Sequence, residues 1–247
     1  MTIMPRLDAE IPAPDGTAAG TLHVPDGDGP WPGVIMFPDA FGLRETMRGM
    51  ADKVAALGYV VLVPDVYYRE AGWAPFAADA FGDDSERGRL FALMGSLTND
   101  RIAADATAYA DFLLARPEVR GPGVGTTGYC MGGRISLVTA GALGGKVAAA
   151  ASFHGGGIAK ADNESSPHHQ AAQIRAVVYA AGAIEDKSFT EQDADLLRTA
   201  LTGAGVTNTV EFYPAHHGFA VPDNPTYDEA AATRHYAALA ALYGSAL

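Results

Sequence analysis

An α/β fold, with a mostly parallel, doubly wound sheet flanked by helices, is predicted by three features of the 247-residue chain. Short β-rich apolar runs alternate with stretches that are apolar at helical spacing along nearly the whole length. No Ser/Gly linker, low-complexity block or internal repeat interrupts the alternation, so residues 1–247 read as one domain. Finally, several chemically able side chains fall just past the C-terminal ends of strand runs, where open α/β sheets place their ligands.

Taken in order, strands are expected near 20–24, 33–37, 59–63, 123–128, 147–153, 176–181 and 209–213. Helices are expected over 43–57, 99–114, 131–143, 191–204 and 227–243, the first stopped by Gly58, a usual C-terminal signal. His23, ahead of Pro25-Asp26-Gly27, is expected in a surface hairpin. Residues 67–97 are the exception. Rich in Gly, Asp, Phe and Ala without a clean period, they are too long for a simple connection and are read as a pocket-lining insertion of unassigned structure.

Composition narrows the function classes. With 48% hydrophobic residues the chain can fill a core, yet no stretch is long enough to cross a bilayer. Residues 1–14 carry Asp8, Glu10 and three prolines rather than a basic start and an apolar run, so a secretory leader is not expected and a cytoplasmic location is. The single cysteine can form no internal disulfide and suits a reducing compartment. Seventeen basic residues stand against 29 acidic, a formal charge of −12 that argues against a nucleic-acid partner. Gly123-Val124-Gly125-Thr126-Thr127-Gly128 matches the spelling of a dinucleotide fingerprint, but it lacks both a preceding strand and a following acid. The adjacent His168-His169 lie in a Ser/Pro/Asn loop without metal-ligand spacing and are expected to be exposed.

The chemistry centres on Gly128-Tyr129-Cys130-Met131-Gly132-Gly133, which places the only cysteine on a sharp turn between a strand and a helix. Such a turn lifts a nucleophile clear of the sheet in a strained backbone conformation and needs small residues on both sides. The N-terminus of the following helix favours a thiolate and can hold an oxyanion. Downstream come an acid and a histidine in the order nucleophile, acid, histidine. Asp186 follows the run 177–181, and His217 follows 209–213 within Pro214-Ala215-His216-His217-Gly218-Phe219. Glu185 and His216 are the neighbouring alternatives. His154, after Phe153, sits near the same edge and is read as a pocket-lining or backbone-satisfied loop residue; Arg134 is read as a structural pairing residue on the nucleophile helix.

These motifs, with Pro64-Asp65-Val66-Tyr67, resemble the dienelactone hydrolases (carboxymethylenebutenolidases) of the α/β-hydrolase superfamily over nearly the whole chain. The resemblance implies an α/β-hydrolase fold and a carboxylic ester hydrolase, with Cys130 as nucleophile, His217 as base and Asp186 as the residue that orients it. It implies that the Met131 and Ala40 backbone N–H groups form the oxyanion hole. Two positions depart from the family pattern. Asp39 stands where the family has a glutamate that contacts the resting thiol; a turn or helix-cap role is the alternative reading. Val221 replaces one of two arginines that hold a substrate carboxylate, leaving Arg87 as the match to the other, with Arg89 beside it.

The resemblance thus implies cleavage of an ester or lactone through a thioester acyl-enzyme. The substrate is a small molecule, no metal or organic cofactor is required, no membrane is involved, and homo-oligomerisation is left open. Two other classes fit the same fold: a redox sensor or small-molecule binding protein using Cys130, and a homologue without turnover. The ordered pair Asp186 and His217 favours hydrolysis, because a thiol sensor has no need of it.

Overall fold

The computed structural model describes residues 6–77 and 80–247. It contains strands β1 (Arg6–Ala13), β2 (Gly16–His23), β3 (Trp31–Phe37), β4 (Val60–Pro64), β5 (Val119–Tyr129), β6 (Val147–Phe153), β7 (Val177–Ala183) and β8 (Asn208–Tyr213). Helices α1 (Glu45–Ala55), α2 (Asp84–Ser96), α3 (Asn99–Leu114), α4 (Met131–Leu143), α5 (Glu191–Gly203) and α6 (Glu229–Ala246) connect and follow them. One sheet in the order β1-β2-β4-β3-β5-β6-β7-β8 takes up all eight strands. β1 with β2 and β2 with β4 are antiparallel, and every pairing from β4 to β8 is parallel.

Alternation along the central strands builds two cores, one on each face. Ile35, Phe37, Val60 and Leu62 join Ile102 and Tyr109 of α3, Ile135 of α4 and Leu197 of α5. Val34, Met36, Val61 and Val63 join Met47, Met50 and Val54 of α1 and Leu239 and Tyr243 of α6 on the opposite face. Near-continuous apolar runs in the inner strands follow from this double covering. The glycines of the fingerprint-like run lie inside β5 itself, so they form no phosphate-binding turn, and a Cβ on Gly125 would come within 2.8 Å of the Tyr243 ring.

Two expectations are corrected, and one strand lies outside them. β1 was not foreseen; it is the edge strand of a hairpin, where the prolines at 12 and 14 cost no central ladder bond. His23 is no surface residue but the fully buried end of β2, its Nδ1 2.7 Å from Asp52 Oδ1 and its Nε2 3.0 Å from Thr21 Oγ1. His168 is buried as well, in a 3-10 turn at Pro167–Gln173, where its ring lies 3.9 Å from that of His169.

The segment 67–97 resolves into turns, a 3-10 turn at Ala80–Gly82 and α2; residues 78–79 within it, like residues 1–5 of the N-terminal reading, lie outside the described residues. α2 is capped by Asp83, which accepts from Ser85 and Glu86 N–H groups, and buries only Leu90 and Leu93. Among the described residues no helix is long and apolar enough to cross a membrane.

Candidate active site

The C-terminal ends of β3, β5, β7 and β8 carry the candidate site. β5 ends at Tyr129, and Cys130 follows with φ 53° and ψ −115° before α4 begins at Met131. That is a costly conformation for a residue with a Cβ, and the surroundings hold it in place. Cys130 N–H donates to Phe153 O at 3.1 Å, and Gly133 N–H to Cys130 O at 3.0 Å. The flanking glycines are required by contact. A Cβ on Gly128 would lie 2.0 Å from Gly132 O, and one on Gly132 would lie 2.3 Å from Phe37 O. The start of α4 is thereby pressed against the loop that leaves β3.

That loop, Pro38 to Leu43, is tied down by its own turn. Gly42 N–H donates to Asp39 O at 3.0 Å and Phe41 N–H to Asp39 Oδ1 at 3.0 Å. The Ala40 N–H, and likewise that of Met131 at the helix start, donates to no acceptor among the described residues. Tyr67 joins the two positions: its hydroxyl donates to Ala40 O at 3.0 Å and lies 3.1 Å from Met131 Sδ.

His217 hangs from the loop after β8. Its Nδ1 is 2.7 Å from Asp186 Oδ2, and the other carboxylate oxygen accepts from Ser188 N–H at 2.8 Å and Ser188 Oγ at 2.6 Å. Burial raises the Asp186 carboxyl's pKa, but the His217 and Ser188 bonds outweigh it and hold the group below its ordinary value. Burial likewise lowers that of His217. The bond to Asp186 and the influence of Cys130 prevail, however, and push it up to about 10. The alternative pair faces away: His216 and Glu185 are 4.0 Å apart with side chains 57% and 81% exposed. Glu185 has φ 56°, and this turn sends neighbouring acids in opposite directions.

His154 forms the floor behind His217. It is fully buried with φ 39°, its N–H donates to Ala181 O at 2.8 Å, and its ring lies 5.1 Å from the His217 ring and 4.8 Å from Phe219. Neither ring nitrogen has a partner among the described residues, and burial drives its pKa well below the ordinary value, so the ring is neutral. Arg134 donates to Asn99 Oδ1 at 2.5 Å and to Ser165 O, tying α4 to α3.

The remaining candidates have other partners. Arg87 is partly exposed on α2 and donates to Asp84 and to Phe81 O at 3.1 Å. Arg89 pairs with Glu86 at 2.7 Å over the Phe76 ring. Val221 is packed in the core. Asp39 is buried, and Arg44 grips both of its carboxylate oxygens, at 2.6 and 2.9 Å. Sequence reasoning passed over Arg44, Tyr67's hydroxyl, Ser188 and Asp223. Only Ser188 carried a local signal, the Asp-x-Ser spacing of a side-chain turn.

Among known proteins, the family model described as the dienelactone hydrolase family matches residues 18–247. A protein of Synechocystis provisionally named carboxymethylenebutenolidase is 31% identical over 230 residues, covering 90% of this chain and 89% of that one. A dienelactone hydrolase-like promiscuous phosphotriesterase from metagenomic libraries superposes with a TM-score of 0.81 at 25% identity, over 99% of each chain. A provisionally named dienelactone hydrolase from Klebsiella pneumoniae gives 0.84 at 23% identity over 98% of this chain and 99% of that one, a likeness of fold.

Proposed function

The chain belongs to the dienelactone hydrolase family, a group of α/β-hydrolase fold enzymes that cleave ester or lactone bonds, and from that premise we propose that it works through a thioester on Cys130, with His217 as base and Asp186 as its orienting acid. His217 takes the thiol proton, and the sulfur attacks the carbonyl carbon of an ester or lactone. The Ala40 and Met131 N–H groups receive the developing oxyanion. The C–O bond breaks as His217 returns the proton to the leaving oxygen. Water, deprotonated by the same imidazole, then attacks the thioester carbonyl; the acid departs and the thiol is restored.

The observation that carries this reading is the 2.7 Å bond between His217 Nδ1 and the Asp186 carboxylate at the strand edge where the Cys130 turn lies, the pKa of His217 being pushed up to about 10 by Asp186 and Cys130 against its burial. An imidazole of that proton affinity, held by its Nδ1 partner, favours an imidazolium–thiolate pair, in which the proton of the Cys130 thiol rests on His217. A sensor function would leave the His217–Asp186 pair and the two free N–H groups without a role.

Neutral esters and lactones are the proposed substrates. Arg87 and Arg89 are engaged by acids of their own helix, Val221 is core, and the net charge of −12 disfavours approach of anions. We place the enzyme in the cytoplasm, acting without cofactor. Activated aryl esters and enol lactones test the assignment directly. Cys130→Ala and His217→Ala should each abolish turnover and the double variant should be no worse, because the two act as one unit. Full activity in Cys130→Ala would refute it.

A further inference from the structure

Arg44, immediately before α1, uses all five of its N–H donors. Nη1 and Nη2 hold the two Asp39 oxygens at 2.6 and 2.9 Å, and Nη1 also reaches Gly42 O at 3.3 Å. Nε and Nη2 hold the two Asp223 oxygens, both at 2.7 Å. Asp39 opens the loop that presents the Ala40 N–H. Asp223 closes the loop that begins at His217. The guanidinium is therefore the one direct ionic link between them among the described residues, and its side chain is only 12% exposed.

Both arms of this link are stiff. On the Asp39 side, the Gly42 and Phe41 N–H groups are consumed by Asp39 itself, so the carboxylate cannot move without carrying Ala40. On the other side, successive turns run from Phe219 N–H to His216 O (3.1 Å), Val221 N–H to Gly218 O (3.0 Å) and Asn224 N–H to Val221 O (3.0 Å), and Thr226 Oγ1 donates to His217 O. Thr46 Oγ1 fixes Asp223 further at 2.6 Å. Burial works against the Arg44 charge, but Asp223 and Asp39 more than compensate and raise its pKa.

We propose that Arg44 is a positioning residue for the hydrolysis, holding the Ala40 N–H in register with His217 by bridging Asp39 to Asp223, so that oxyanion hole and base are assembled before substrate binds. This rests on the reading of Cys130, His217 and Ala40 given above. It also assigns Asp39 a role: its carboxylate is committed to the bridge rather than to the thiol.

The test compares kcat, KM and iodoacetamide alkylation of Cys130 in the full chain. Arg44→Gln alone strands a buried carboxylate and endangers the fold, so the informative variants are the Asp39→Asn/Arg44→Gln double and Asp223→Asn, whose side chain is 34% exposed. In the double variant, kcat on an activated aryl ester should fall roughly ten- to a hundredfold with KM within about twofold, as expected when a reacting group is misplaced by about an ångström. Alkylation should stay within about twofold of the wild type, because the thiol and imidazole are untouched. Asp223→Asn should lower kcat in the same direction by several-fold, and Arg44→Lys, with charge but no fork, should recover little. Wild-type kcat in a folded Asp223→Asn enzyme overturns the proposal. So does a parallel loss of alkylation and turnover in the double variant, which would mean general loosening, or full rescue by Arg44→Lys. Wild-type turnover that survives complete alkylation of Cys130 would instead overturn the nucleophile, a result independent of Arg44.

Discussion

His217 and Asp186 meet at 2.7 Å while their chain neighbours His216 and Glu185 stand 4.0 Å apart at the surface. Two adjacent histidines and two adjacent acids therefore sort into one inward pair and one outward pair. Asp186→Asn should lower kcat by roughly a thousandfold with little change in KM, because an amide donor facing Nδ1 selects the wrong imidazole tautomer. Glu185→Gln should leave both constants within about twofold. Steady-state kinetics on one activated ester checks the pair, and equal losses in the two variants would void the assignment.

Gly132→Ala should abolish soluble expression or lower Tm steeply, since the added methyl would sit 2.3 Å from Phe37 O and 2.4 Å from Pro38 O, backbone atoms that cannot swing aside. Gly95→Ala provides the contrast. It lies inside α2 with nothing within 4 Å of the added carbon, and should raise stability by about 0.8–1 kcal/mol through helix propensity alone. Thermal melts of both variants decide this.

Stability should fall on both sides of neutrality for different reasons. His235 Nδ1–H donates to Ala232 O and its Nε2 accepts from Tyr129, and burial lowers its pKa from 6.5 to about 3. The unfolded chain gains this proton near pH 6.5 and the folded one only near 3, so stability present above 6.5 is lost progressively as pH falls between those values. His154 and His23 act in the same direction. On the alkaline side His217, raised to about 10, contributes stability that is complete below 6.5 and lost as pH rises through 10. Denaturant midpoints should flatten between pH 6.5 and 4.5 in His235→Gln, and between 7 and 10 in Asp186→Asn.

A dienelactone presented as its neutral methyl ester should be hydrolysed at least as fast as the free acid, and Arg87→Ala should change neither rate by more than about twofold, because that guanidinium is already bonded to Asp84 and Phe81 O. Competitive assays with the two forms check it. A strong preference for the carboxylate that vanishes in Arg87→Ala would contradict the neutral-substrate reading.

The inner strands and helices were legible because burial imposes a period: β6, α3 and α4 coincide with the apolar runs that announce them. β1 and α2 were not. β1 lies at a sheet edge with only Ala9 and Ile11 buried, and α2 fully buries only Leu90 and Leu93, so neither carries a full apolar face. Cys130, Asp186 and His217 could be singled out because turn chemistry and chain order mark them locally. Arg44 and Asp223 are 179 positions apart and meet only through the fold; each alone reads as a solvated charge. His23 misled for the same reason, since Asp52, its partner, lies in α1.

The central claim is a covalent intermediate on sulfur. Rapid quenching of the wild-type enzyme during turnover of an activated ester, followed by intact-mass and peptide mapping, measures it most directly. A mass increase equal to the acyl group, mapped to Cys130 and absent in Cys130→Ala, is the predicted result. An acyl group on another residue, or undiminished turnover in Cys130→Ala without any adduct, would contradict the account.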